Sequence, residues 1–197
     1  MSGNSSQAHD HMDRRIRRTR DAIIGAFKNI VFQTRYSDIR VSDIVDKADI
    51  GRSTFYEHFA GKDDLLVSSM EWVLLGLAAS AKPGADLATV FEVLDHIWGH
   101  RSKGRNILSG QSGRRFEKAL ASKFEETLLQ LLEAGKSEQI GFLLPPVFTA
   151  NQLAASTMSL LKTWLSGTAP ASTEAMARAL VGSSKATIEA AIPEKEG

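Results

Sequence analysis

Cysteine is absent from the 197 residues. That excludes disulfides, thiol nucleophiles and thiolate metal sites, and it fits a reducing cytoplasm. No apolar run reaches the roughly 18 to 20 residues that a membrane-crossing helix needs. The opening MSGNSSQAHDHMD lacks the apolar core of a signal peptide, and residues 1–13 read as a disordered polar tail. No GxSxG serine, no phosphate-cradling glycine loop and no carboxylate pair beside an evident base occurs, so neither catalysis nor a cofactor is expected. Strand-like alternation and internal repeats are missing as well, which leaves an all-helical chain.

Charge is present in ordinary amount and distributed unevenly. Lys, Arg, Asp and Glu make up 24% of the chain, apolar residues 43%, and the formal net charge is only +1. Residues 14–62 nevertheless carry eleven Lys and Arg against six Asp and Glu, for a net +5. Residues 63–197 carry thirteen against fifteen, for −2, and residues 1–13 contribute another −2. A cationic head on a near-neutral body suits a polyanionic partner.

That head contains a helix, a tight turn and a second helix, at Val41 to Lys62: VSDIVDKADIGRSTFYEHFAGK. Val41, Ile44, Val45 and Ala48 recur at helical spacing and give the first helix one apolar face. Asp49-Ile50-Gly51 interrupts the pattern: Asp tolerates a left-handed backbone, and Gly51 can serve as an N-cap. In the second helix, about Arg52 to Phe59, Phe55 and Phe59 stand at i and i+4 and point to a core. Arg52, Ser53, Thr54, Tyr56 and His58 are left outward, all able to hydrogen-bond to phosphates or base edges. Arg52 is the candidate for bidentate reading of a guanine, and Ser42, at the head of the first helix, is a candidate phosphate partner. Upstream, Arg14 to Thr34 reads as a helix with Ile16, Ile23, Ile24, Phe27, Ile30 and Val31 on one stripe. It begins with five arginines in seven residues, Arg14 to Arg20, among which Arg17 and Arg18 suit an arm reaching phosphate or the minor groove.

The pattern Thr54-Phe55-Tyr56-x-His58-Phe59-x-x-Lys62-x-x-Leu65-Leu66, with Asp43-Ile44-Val45 and Ala48-x-Ile50 before it, resembles the DNA-binding module of TetR/AcrR transcriptional regulators. The specific resemblance covers residues 14 to 66, about a third of the chain. It implies a three-helix DNA-binding domain over 14–66 (motif 41–60), then a helical ligand-binding and dimerisation domain over 67–197. By the same resemblance Tyr56, His58 and Lys62 would hold phosphates, and Arg52, Ser53 and Thr54 would approach base edges. The chain departs from the family pattern at Arg35 and Asp49, where Gly is usual, at Arg40, where a Thr or Ser N-cap is usual, and at Gly51, often Ser. A left-handed non-Gly residue or a lost cap costs about 1 kcal/mol each.

Lys62-Asp63-Asp64 begins what reads as one long helix to about Ala81, ended by Lys82-Pro83-Gly84. Asp86 to about His100 is the next helix. Ser102-Lys103-Gly104 reads as a break, Gly110 to Gly113 as a loop, Arg114 to Ala134 as a long helix, and Thr149–Ser166 and Ser172–Ala191 as the last two. The small and apolar faces of that last pair could form a four-helix interface with a second copy, as family members usually do. Trp72, Trp98, Phe116, Phe124, Met158 and Trp164 are candidates to line an apolar ligand cavity, or are plain core. His96 and His100 share one helix face at i and i+4, but no third metal ligand accompanies them. The function expected is a TetR-type regulator: a homodimeric repressor bound to a near-palindromic double-stranded operator and released by a small molecule. The alternatives are an interaction module of the same fold that no longer binds DNA, and an enzyme with an accessory helix-turn-helix.

Overall fold

A computed structural model describes residues 4–31, 33–134 and 141–193, with side chains from Arg14 onward. Among the described residues the chain is helical with no strand, and it divides into two compact units, Met1–Ser69 and Met70–Gly197.

The first unit holds four helices: α1 (Asn4–Val31), α2 (Val41–Ala48), α3 (Arg52–His58) and α4 (Lys62–Ser69), with a 3-10 turn at Tyr36–Asp38. Its core is the set the apolar spacing selects: Ile23, Phe27, Ile44, Phe55, Phe59, Leu65 and Leu66 are each at most 1% exposed. Ile16, the first member of the α1 stripe, is 47% exposed. It lies seven residues before Ile23, about 10 Å along the axis. The backbone of α1 starts at Asn4, ten residues before the expected Arg14, so the polar stretch 4–13 prolongs the helix instead of forming a tail. An apolar stripe cannot announce a polar extension, yet each added residue gains one backbone bond once the helix is nucleated. Residues 1–3 of that expected tail lie outside the described residues.

The second unit holds α5 (Glu71–Ala78), α6 (Leu87–Gly99), α7 (Arg101–Ile107), α8 (Gly110–Ala134), α9 (Pro146–Ser166) and α10 (Thr173–Ala191), with a 3-10 turn at Ala79–Ala81. Within it α8 runs along α9, and α10 packs on α6 and on the 3-10 turn. Ser80 and Ser184 meet there in a buried hydroxyl–hydroxyl bond of 3.0 Å. Asp86 caps α6, accepting from the N–H of Ala88 (3.0 Å) and of Thr89 (3.3 Å). Ser172 caps α10 through Ala175 N–H, and Gly167 closes α9 with φ +75°.

Four expectations are corrected here. The single helix over 62–81 is two, broken at Met70 (φ −109°, ψ 15°). The buried pairs Leu65-Leu66 and Val73-Leu74 stand eight residues apart, about 80° out of phase on an unbroken helix, so a break lets each segment bury its own pair. Ser102-Lys103-Gly104 lies inside α7. A side chain at Gly104 would press on Leu165 Cδ1 at 3.2 Å, so that glycine permits a close contact instead of ending a helix. Gly110 to Gly113 is the first turn of α8, not a loop: Gly110 turns the chain with φ +57°, and a Cβ at Gly113 would collide with the Leu108 carbonyl. Finally α9 begins three residues early, with Pro146 at a first-turn position where its missing N–H is harmless.

Candidate nucleic-acid interface

The interface is built on α2 and α3. Arg40, at the position before α2, has no acceptor on its side chain, and the helix start is held from the other side: the Asp43 carboxylate accepts the Arg40 N–H at 2.8 Å. At the far end of α2, Asp49 adopts the left-handed conformation (φ 53°, ψ 51°), and Ile50 N–H bonds back to the Val45 carbonyl at 3.1 Å. The turn therefore keeps the C-capping geometry in which Gly is usual. Gly51 is the N-cap of α3 in an extended conformation (φ −70°, ψ 151°).

On α3, Phe55 and Phe59 are buried, their ring centroids 5.9 Å apart. Arg20 of α1 lies over the Phe59 ring at 4.7 Å, which takes that arginine out of the basic cluster and gives it to the core surface. With this face fixed, Arg52, Ser53 and Tyr56 point to solvent, and Thr54 and His58 are half-buried on the flank. Tyr56 is 49% exposed, its ring edge-on to Phe55 at 5.3 Å. Ser42 is exposed at the first turn of α2, its hydroxyl 3.4 Å from Asp43 Oδ1. Arg17 and Arg18 are exposed on α1. Among the described residues no ion pair is made by Arg17, Arg18, Arg40 or Arg52, so the charge they carry is available to a partner.

Lys62 is placed differently from the other candidates. Its ammonium donates to the carbonyls of Tyr36 (3.0 Å) and Ile39 (2.8 Å) and lies 4.6 Å from the Tyr36 ring centre. Tyr36 in turn donates to Asp63 Oδ1 at 2.5 Å. Two of the three ammonium donors thus tie the start of α4 to the turn after α1, leaving one for a phosphate. Sequence reasoning missed two residues here. Glu57 is exposed, nearly opposite Phe55 and Phe59 on α3, where a carboxylate can accept from the amino group of cytosine. Arg40 adds an exposed cation beside Ser42. Counting helical angle from Phe55 would have found the first, and the position just ahead of α2 the second.

The aromatic set proposed for an apolar cavity is scattered between core and surface. Phe116, Phe124, Met158 and Trp164 are at most 2% exposed. Trp164 stacks on half-buried Trp98 with centroids 4.6 Å apart, and its indole N–H donates to the Ala171 carbonyl at 2.9 Å, fastening the α9–α10 turn. Trp72 is 43% exposed, edge-on to His96. His96 and His100 lie side by side, ring centroids 4.5 Å apart and tilted by 37°, but among the described residues no group of three or more His, Cys, Asp or Glu could hold a metal.

The profile of "Bacterial regulatory proteins, tetR family" matches residues 32–68, which span the helix-turn-helix and most of α4. An uncharacterized HTH-type transcriptional regulator of Bacillus subtilis (strain 168), YxbF, is 41% identical over 61 residues. That match spans 30% of this chain and 16% of the relative's own length. A TetR transcriptional regulator from Streptococcus agalactiae 2603V superposes with a TM-score of 0.54 at 24% identity, covering 89% of this chain and 98% of that one. FadR from Thermus thermophilus, a TetR-family repressor solved with lauroyl-CoA, gives a TM-score of 0.51 at 15% identity, over 90% and 97% of the two chains. These structural likenesses establish the fold. Residues 32–68 thus carry the sequence pattern of the tetR family of bacterial regulatory proteins, and the helical chain around them has the fold of the TetR regulators on which it superposes.

Proposed function

We propose that the protein is a repressor that binds a near-palindromic operator as a homodimer and leaves it when a small molecule occupies the second unit. One observation carries the DNA reading. Arg52, Ser53 and Tyr56 stand exposed on a helix whose opposite face, Phe55 and Phe59, is locked in a core. Arg52 would read a guanine, Ser53 and Thr54 neighbouring base edges, and Glu57 a cytosine. Tyr56, His58, Ser42 and the remaining donor of Lys62 would take phosphates, with Arg17 and Arg18 as the arm. The Asp43 carboxylate accepts the Arg40 N–H and Asp49 keeps the left-handed turn, so the helix-turn-helix geometry stands without the usual cap and turn residues, which supports the DNA-binding reading.

Pairing is supported by the exposed side of the last two helices. Ala175, Ala179, Gly182, Ala186 and Ala190 form an exposed strip of small residues along α10. The N-terminal half of α9 exposes Val147, Phe148, Gln152 and Ala155, with Phe148 58% exposed. Small residues let helices approach closely, and an isologous four-helix contact would cover both strips at once. Among the described residues no single helix is long and apolar enough to cross a membrane, and a DNA-binding role would place the protein in the cytoplasm.

The test is fluorescence anisotropy of the full chain on the DNA upstream of its own gene, at graded salt, followed by footprinting. A saturable complex with two protomers per duplex and a steep loss of affinity with salt is expected. Binding left intact by Arg52→Ala combined with Tyr56→Phe would refute the assignment of α3.

A further inference from the structure

Between α7, the start of α8 and the C-terminal half of α9 the second unit has a recess of about 310 Å³. Buried Leu108 and Leu165 give it an apolar side, and Arg105, Arg114 and Lys162, all exposed, stand around it with Ser109 and Gly110. No acidic residue lines it. Among the described residues none of the three cations makes an ion pair.

The recess is shaped by the tight α7–α8 connection. Gly110 takes the positive φ that turns the chain, and Gly113 lets α8 sit against the Leu108 carbonyl. Ser109 Oγ donates to the Asn106 carbonyl at 2.8 Å and Ser112 Oγ to the Ser109 carbonyl at 3.0 Å, which holds the turn from both sides. The helix that starts there is 25 residues long and has no acidic residue in its first turn. Its end adds a partial positive charge to the three cations. Elsewhere in this unit Lys123, Arg178 and Lys185 each meet a glutamate on their own helix, whereas these three cations border a partly apolar recess. Like charges gathered at one recess repel, and that repulsion turns into attraction for an anion that enters it.

We infer that the recess binds a small organic anion. Its phosphate or carboxylate head meets Arg105, Arg114 and Lys162, and a short apolar portion lies on Leu108 and Leu165. A bidentate guanidinium fits either head group. As an effector site this rests on the regulator reading above; as an anion site it rests on the recess alone.

Calorimetric titration of the full chain at constant ionic strength tests it, with phenyl phosphate, benzoate and neutral phenol as probes. One site per chain is expected for phenyl phosphate, benzoate or both, the stronger naming the head group, and no saturable heat is expected for phenol. Arg114→Gln and Lys162→Gln should each weaken binding about tenfold or more, the effect of losing one charge-assisted hydrogen bond, with unchanged melting temperatures. Absence of a saturable isotherm for both anions, equal binding of phenol, or unaltered affinity in the Arg114→Gln/Lys162→Gln double variant would overturn the proposal. DNA binding measured on the same preparations separates the two readings, because its failure would count against the regulator assignment and leave the isotherms standing.

Discussion

At the scale of single residues, two cations that sequence treats alike have different work. Arg52 is exposed and pairs with nothing among the described residues, so Arg52→Ala should leave the melting temperature unchanged while removing about 1–3 kcal/mol of base discrimination. Lys62 holds two backbone carbonyls, and Lys62→Met should cost about 1–3 kcal/mol of stability as well as affinity. Thermal melts beside DNA titrations of both variants separate the roles; equal melting temperatures would show that the Lys62 bonds carry no stability. Asp86 offers a pH-dependent counterpart. The Thr89 hydroxyl, and after it the Ala88 N–H, hold its carboxyl below the ordinary 3.8. A folded-state pKa below the unfolded one gives stability that is complete above about pH 4 and lost as the pH falls through the lowered value. Asp86→Asn should therefore flatten part of the acid limb of the melting-temperature profile, and an unaltered limb would count against the cap.

At the scale of elements, the second unit depends on a close crossing of α5 and α6. A Cβ at Gly76 would run into Val93, so Gly76→Ala should cost about 1–3 kcal/mol by overpacking, and Gly76→Ala with Val93→Ala should recover part of it in denaturant titrations. Crossings of this kind also explain what could and could not be read from the chain. The helix-turn-helix was legible because Ile44, Val45, Phe55 and Phe59 obey helical spacing and the turn chemistry sits between them. The glycines at 104 and 113 look like breaks because a glycine that ends a helix and one that admits a neighbour are identical in sequence, whereas Gly110 does turn the chain with its positive φ. The second task of Lys62 was not legible, since nothing local reveals that the Tyr36 and Ile39 carbonyls fold back onto it. Aromatic residues spaced for a helix face gave no means of distinguishing a ligand cavity from the Trp98–Trp164 stack.

At the scale of the whole molecule, the account requires two copies of α3 at successive major grooves, roughly 34–36 Å or a multiple apart. A ligand that reverses a 99:1 preference for the DNA-competent form must favour the other form by about 5.5 kcal/mol. The chain passes from one unit to the other through Ser69-Met70-Glu71, the covalent route for any such effect. The most direct measurement of the central claim is the salt dependence of binding to the upstream DNA, for the unaltered chain and for Arg17→Ala/Arg18→Ala. The account predicts a log–log slope that falls by about one for each phosphate contact removed, with two protomers bound per duplex throughout. Binding that ignores salt, an unchanged slope in the variant, or a single protomer per duplex would contradict it.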